Sequence, residues 1–398
     1  MRKCRNTVIT FIDFKKAYDS VDRETLFEIM KEFGIDRKTR TIIEQTLTGT
    51  TSNVKFMGEI SDPFEIKTGV RQGDGLSPIL FNIVLEKIIR EWELHVKGIQ
   101  VGIKKENRLN VKCLAFADDI AIITDNRTEA IRAVEKLHQI AQKTGLQISY
   151  DKTKYMERKP KNKSSLMTKH GEILQVGHFK YLWEVIQSSD SNRIANEQRI
   201  TKLQRAYKLT WAHYNKKCIS RGAKLRHYNT TILPEAIYAA ETKVIGGHSR
   251  IGEIEKQERK ILRKIYGPIN RNGIWMKIPQ NELYQKTNTI TEEIRKRRAK
   301  FYAHVYRMKL SIIPKKLLNM IMNSKCGTEW LKEVQKDLQQ INTKNLEDRT
   351  ECRYKIAHVK FEQKLNRQPG VKWTDERKKE HSERMERFWE AKKMKQNS

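Results

Sequence analysis

The tetrapeptide Phe116-Ala117-Asp118-Asp119 constrains this chain more than any other stretch. An apolar run, Cys113 to Phe116, stops at two adjacent carboxylates, and a second run, Ile120 to Ile123, starts straight after them. That pattern predicts a β-hairpin with acids at its tip. Aspartates at a water-facing turn are ordinary turn chemistry, because the short side chain satisfies local backbone groups. Asp13 adds a second reading, since it ends another strand-like run, Val8 to Ile12. Two neighbouring strands ending in carboxylates would gather three like charges, which tolerate proximity around a hard cation. Oxygen-only ligands suit Mg²⁺, and the chemistry that follows is two-metal phosphoryl or nucleotidyl transfer.

Charge points to the partner. The 398 residues hold 80 Lys plus Arg against 48 Asp plus Glu, a net charge of +32, and a polyanion is the natural counterpart. Residues 1–187 hold 32 basic and 25 acidic residues, whereas 188–398 hold 48 and 23, so the carboxylates sit in the nearly balanced half. Cys4, Cys113, Cys218, Cys326 and Cys352 have neither disulfide-framework nor zinc-ligand spacing, which fits a reduced, intracellular setting. The N-terminus lacks an apolar signal-peptide core and no apolar run is long enough to span a bilayer, so membrane and secretory readings are set aside.

Taken in order, 7–13 reads as a strand, followed by a helix from Arg23 to Phe33 closed by Gly34 and a second helix from Arg37 to Leu47. Residues 53–70 alternate as two short strands around Ser61-Asp62-Pro63. Gly69, Gly73 and Gly75 bring backbone close to something, either in a plain loop before a core helix or in a loop that admits template and nucleotide. Ser77 and Pro78 read as cap and first turn of a helix over Ile79 to Val96. After the acidic hairpin, Asn126 with Glu129 starts a helix running to Thr144, stopped by Gly145, and 146–154 reads as strand and turn. Lys152 carries no signal by itself.

These segments, in this order, resemble the reverse transcriptase of the non-LTR (LINE-type) retrotransposon class. Phe11-Ile12-Asp13-Phe14-Lys15-Lys16-Ala17-Tyr18-Asp19 is similar to that family's motif A, Arg71-Gln72-Gly73 through Ser77-Pro78-Ile79-Leu80-Phe81 to motif B, and Phe116-Ala117-Asp118-Asp119 to motif C. Gly145-Leu146-Gln147-Ile148 through Lys152-Thr153 resembles motif D, and Phe179-Lys180-Tyr181-Leu182 motif E. The resemblance implies an α+β fold: a reverse-transcriptase palm, an antiparallel sheet with helices on one face, over 1–187; a helical thumb over 188–247; and a helical C-terminal region. It extends through a basic post-thumb region, 248–320, and leaves 321–398 as a charged tail, either a solvated helix or partly disordered, or ending in a short DNA-binding helical module.

By the same resemblance, Asp13, Asp118 and Asp119 would hold two Mg²⁺ ions, with Mn²⁺ as a substitute. Tyr18 would stack under the deoxyribose and reject a 2′-hydroxyl, Gln72 and Gly73 would line the nucleotide and template pocket, and Lys152 would protonate the pyrophosphate. Partners would be an RNA template, a DNA primer and deoxynucleoside triphosphates, and the place of action nuclear or nucleocytoplasmic. The family carries fingers before motif A, and here motif A opens close to Met1. The expectation is therefore a chain lacking those fingers, the C-terminal part of a larger polyprotein, whose uncovered palm edge makes it poorly soluble or associates with another chain. Trp183 and Ser149 also depart from the family's usual glycine and asparagine. An RNA-directed DNA polymerase is the leading reading. The alternative is a catalytically silent retroelement remnant, or a co-opted protein that binds nucleic acid through 188–398.

Overall fold

The chain divides into two units, 1–191 and 192–398, in a computed structural model that describes residues 7–102, 108–158, 160, 162, 164–189, 192–244, 248–285, 287–324, 328–342 and 345–361. The first unit starts with β1 (Val8–Ile12), α1 (Arg23–Glu32) and α2 (Arg37–Leu47). A ribbon of β2 (Thr51–Ser52), β3 (Lys55–Phe56), β4 (Glu59–Ile60) and β5 (Phe64–Glu65) follows, then α3 (Ser77–Glu93), β6 (Ile99–Val101) and β7 (Leu109–Val111). Next come β8 (Cys113–Phe116), β9 (Asp119–Thr124), α4 (Arg127–Gln142), β10 (Lys154–Glu157), β11 (Leu166–Thr168) and β12 (Gly171–Gln175), and the unit closes with β13 (His178–Tyr181) and β14 (Glu184–Gln187).

Six strands form one sheet in the order β11-β12-β10-β1-β9-β8. Every ladder is antiparallel except β10 with β12, which run parallel, a departure from the wholly antiparallel sheet expected. The period of two in β1 sorts its side chains. Val8 and Ile12 join the large core beneath α1, α3 and α4, while Ile9 and Phe11 face the other way. Trp92 of α3 is buried in that core, and its indole N–H donates to the Ala133 carbonyl of α4 at 2.8 Å. The opposite face carries the smaller cluster of Phe11, Ala121 and Met156, covered by Phe179, Tyr181 and Ile186 of the β13–β14 hairpin. Both faces of β1 are thus covered, which is why Ile9 and Phe11 on the second face are apolar as well and even Thr10 is buried.

Four local expectations shift. The ribbon turns at Met57-Gly58, both with positive φ, and not at Ser61-Asp62-Pro63, which lies between β4 and β5; a two-residue turn of this hand matches strand twist better. Helix α3 begins at Ser77, with Leu76 rather than Ser77 in the capping position, and ends at Glu93. Residues 146–150 form a single bridge, Phe14 to Ile148, instead of a strand. In the second unit, Pro234 does not interrupt the helical path. It occupies the first turn of its own short helix after a π-turn at Tyr228–Ile232, where its missing N–H costs nothing.

That second unit is built from α5 (Arg193–Leu209), α6 (Trp211–Asn215), α7 (Arg221–His227), α8 (Leu233–Ile237), α9 (His248–Tyr266), a β15 (Ile269–Arg271) and β16 (Ile274–Met276) hairpin, α10 (Gln280–Gln285), α11 (Ile290–Tyr306), α12 (Ile313–Met322), α13 (Glu329–Ile341) and α14 (Arg349–His358). One core runs from Leu203 to Ile294. In α9, Ile261, Leu262 and Ile265 are buried while Lys260 and Lys264 are exposed, so only one side of this basic helix faces water. Within the polar stretch after residue 320, α13 and α14 are packed helices, with Val334, Cys352 and Ile356 buried. Buried Asp337 of α13 pairs with Arg295 and Arg298 of α11. Residues 362–398, with Trp373, Met385, Phe388 and Trp389, lie outside the described residues.

Candidate active site

The ladder between β1 and β9 decides what the acids can do. Ile12 pairs with Ile120, so one further step along the register sets Asp13 opposite Asp119. On the other side of β9, Phe116 pairs with Asp119, which leaves Ala117-Asp118 as a two-residue turn. Ala117 holds φ of 49°, a left-handed conformation disfavoured for alanine by about 1–2 kcal/mol. The strained turn carries Asp118 at its tip.

Asp13 is fixed through its backbone. Its N–H donates to Thr153 Oγ1 at 3.2 Å and its carbonyl accepts from the Ser149 N–H at 2.8 Å, while Lys15 N–H donates to Gln147 at 2.8 Å. These bonds bring the 147–153 segment alongside the end of β1 and carry Lys152 with it. The Lys152 ammonium lies 3.9 Å from Asp13 Oδ1. Apart from the motif D resemblance nothing in the sequence singles out this lysine, because its placement is made by its neighbours' main chain and the Thr153 hydroxyl.

The electrostatics agree with the register. Partial burial raises the pKa of Asp13; Lys152 opposes that rise and Asp118 adds to it. Burial also raises Asp119, and the charges of Asp118 and Asp13 push it further. All three carboxylates therefore feel one another, with Asp118 and Asp119 exposed and Asp13 half-buried. The donor set is all oxygen and open to water, which suits a hard cation that keeps part of its hydration shell. Among the described residues, no three His, Cys, Asp or Glu side chains are drawn together as ready ligands; Asp13 leans on Lys152.

Tyr18 lies flat on Phe81 of α3, ring centroids 4.7 Å apart and planes 17° from parallel. Burial first, and Asp118 second, raise its pKa, so the phenol stays protonated beside the acids. Its carbonyl accepts from Val70 N–H at 2.8 Å, tying the stretch after Asp13 to the start of the glycine loop. Gln72 and Gly73 are exposed in that loop, Gly73 at φ 92°, and the structure joins neither to the carboxylates by a hydrogen bond among the described residues.

Arg23 escaped the sequence reading because an arginine in a first helical turn looks solvated. It is buried, and its guanidinium donates to the carbonyls of Gly69 (2.9 Å), Ile66 (2.8 Å) and Leu47 and to Thr50 Oγ1 (3.1 Å). Gly69, at φ 83°, would place a Cβ 2.7 Å from the backbone of Asp19. Gly69→Ala should therefore destabilise the chain by about 2 kcal/mol or more and displace Tyr18; a denaturant midpoint equal to the parent's would contradict this.

Residues 1–182 match the family described as reverse transcriptase (RNA-dependent DNA polymerase). A polyprotein of the type-1 retrotransposable element R2 from Popillia japonica is 33% identical over 117 residues, covering 29% of this chain and 19% of the relative. The RNA-directed DNA polymerase from mobile element jockey of Drosophila funebris is 25% identical over 287 residues, covering 65% and 28%. The chain thus spans under a third of the length of either relative. A solved structure of telomerase from Candida albicans, in complex with a TWJ fragment of telomeric RNA, aligns with 89% of this chain and 50% of its own at 10% identity and a TM-score of 0.38. With the sheet bringing Asp13 against the Asp118-Asp119 hairpin, the match over residues 1–182, a little under half of the chain, and the retroelement relatives make that stretch similar to the reverse transcriptases of retrotransposable elements.

Proposed function

We propose that residues 1–191 form a nucleotidyl-transfer site that extends a DNA primer on an RNA template. The observation that carries this reading is the meeting of Asp13 with the Asp118-Asp119 hairpin, with Lys152 at 3.9 Å. The reverse transcriptase family uses divalent ions, and in this chain Mg²⁺ would be held by Asp13 and Asp118 with Asp119 assisting, Mn²⁺ being able to replace it. When bound, such ions activate the attacking hydroxyl and steady the leaving group.

The remaining roles belong to this chain's own side chains. Tyr18, supported by Phe81, presents its ring to the sugar of the incoming deoxynucleotide and leaves no room for a 2′-hydroxyl. Gln72 and Gly73 line the approach of nucleotide and template, where absence of a Cβ lets backbone come close. Lys152 donates a proton from Nζ to the pyrophosphate oxygen as it departs. The basic 192–398 unit grips the phosphate backbone of the duplex. Among the described residues no helix is long and apolar enough to cross a membrane. Reaching chromosomal DNA would require nuclear or nucleocytoplasmic residence.

Primer extension on an RNA template tests the reading, with the purified chain beside Asp118→Asn. Incorporation by the parent that vanishes in the variant supports polymerase action. Equal background from both leaves the alternative, a catalytically silent nucleic-acid-binding remnant, which the surplus of basic residues after 187 favours.

A further inference from the structure

The hairpin that bears Asp118 is joined to β1 through β9, and among the described residues no strand pairs with the outer side of β8, which is an edge of the sheet. Leu114 and Phe116 on that edge strand are 49% and 67% exposed. An edge strand held from one side only opens more readily than an inner one, and the turn joining β8 to β9 is strained at Ala117. Holding Asp118 and Asp119 steady against Asp13 therefore needs a further contact.

The β13–β14 hairpin supplies one. Phe179 stacks on Phe11 with centroids 4.1 Å apart and planes 11° from parallel, and Tyr181 packs against the same Phe11 ring at 5.8 Å. The Tyr181 hydroxyl reaches the carbonyls of Leu114 at 3.2 Å and Asp119 at 3.3 Å, one on each strand of the acidic hairpin. Phe11 lies two residues before Asp13, so one aromatic group touches both carboxylate-bearing strands.

Building on the polymerase reading above, we propose that Tyr181 is a positioning residue for the reaction: its hydroxyl clasps β8 to β9 and fixes the Asp119 peptide, while its ring is seated on Phe11. The tie is made by a donor that stays protonated. A phenol, with an ordinary pKa of about 10, donates throughout the neutral range. Losing the hydroxyl frees the tip to visit arrangements in which the carboxylates are apart, lowering the fraction of competent molecules without altering contacts to nucleotide.

Tyr181→Phe keeps the ring and removes only the O–H. Amide exchange at residues 114–120 of the full chain should quicken about fivefold, the scale of one neutral hydrogen bond, with exchange through local openings elsewhere unchanged and the melting temperature lowered by no more than about 2–4 °C. In single-nucleotide addition, kcat should fall about fivefold and KM for the deoxynucleotide should stay within about twofold. Tyr181→Leu, which also removes the ring seated on Phe11, should quicken exchange further. Unchanged exchange in Tyr181→Phe overturns the clasp, and a raised KM at constant kcat overturns the positioning role. A parent chain that adds no nucleotides counts against the polymerase reading, and the exchange measurement still decides the clasp.

Discussion

Replacing Asp13 with asparagine is expected to lower nucleotide addition by about two to three orders of magnitude without lowering the melting temperature. The two effects separate because the structure holds this residue by its backbone. Ser149 N–H and Thr153 Oγ1 grip the peptide, and neither bond involves the carboxylate. The ion pair with Lys152 is largely solvent-exposed and contributes little to folding. Burial and Asp118 raise the Asp13 pKa, so the ionised form is disfavoured in the native state. For an acid raised in this way, the stability term is complete below the unfolded value and is lost as pH climbs through the folded one. The neutral amide removes that loss, so at neutral pH the variant should melt at or slightly above the parent temperature. Primer extension and calorimetry on the same preparation check both halves, and parallel loss of activity and fold would contradict the account.

The second large effect lies in the helical unit. Glu258 of α9 is fully buried, with Oε1 accepting from Tyr228 at 3.0 Å and Oε2 accepting from Tyr284 at 3.1 Å and from the Ile290 N–H at 3.1 Å. Burial lifts its carboxyl to about 8 from an ordinary value of 4.5, the nearby charge of Glu255 adding to the rise and the three hydrogen bonds opposing it. Arg259 is engaged with Glu255 at 3.5 Å. Below pH 4.5 both folded and unfolded chains carry the proton and the stabilising term is whole; between 4.5 and 8 only the folded chain does, so stability drains as pH rises. At about 1.4 kcal/mol per pH unit, the loss amounts to about 4 kcal/mol across that window. Glu258→Gln can donate to the Tyr228 oxygen and accept from the other two partners without ionising. Urea titrations followed by amide exchange over residues 254–265 should show a sloping stability for the parent and a flat one for the variant, which becomes the more stable by pH 8. A parent whose stability does not slope would refute the assignment.

Much of the palm was legible because its chemistry interrupts its pattern. A strand that ends in aspartate, and an apolar hairpin with two acids at its turn, stand out in any reading, and the ladder between β1 and β9 brings them together. What escaped was whatever depends on contacts distant in sequence. Lys152 was named through the motif D resemblance alone, and its place beside Asp13 is made by bonds from its neighbours to the Asp13 main chain. Tyr181 was visible as part of a motif, but its bonds to Leu114 and Asp119 arise only when a hairpin folds across the sheet. Glu258 sits in a run that reads as a basic surface helix, and its burial depends on Tyr228, Tyr284 and the first turn of α11. The ribbon turn was misread because Ser61-Asp62-Pro63 has more turn-forming residues than Met57-Gly58, although strand twist favours the latter.

Arg23 has an effect beyond its own bonds. By grasping carbonyls at Leu47, Ile66 and Gly69, it fastens both roots of the 51–65 ribbon to the base of α1. Together with the bonds from Gly69 N–H to Val21 and from Val70 N–H to Tyr18, that guanidinium stands between a change in the outer part of the ribbon and the Tyr18 ring. Insertions at the Met57-Gly58 turn should therefore leave the stacking of Tyr18 on Phe81 intact.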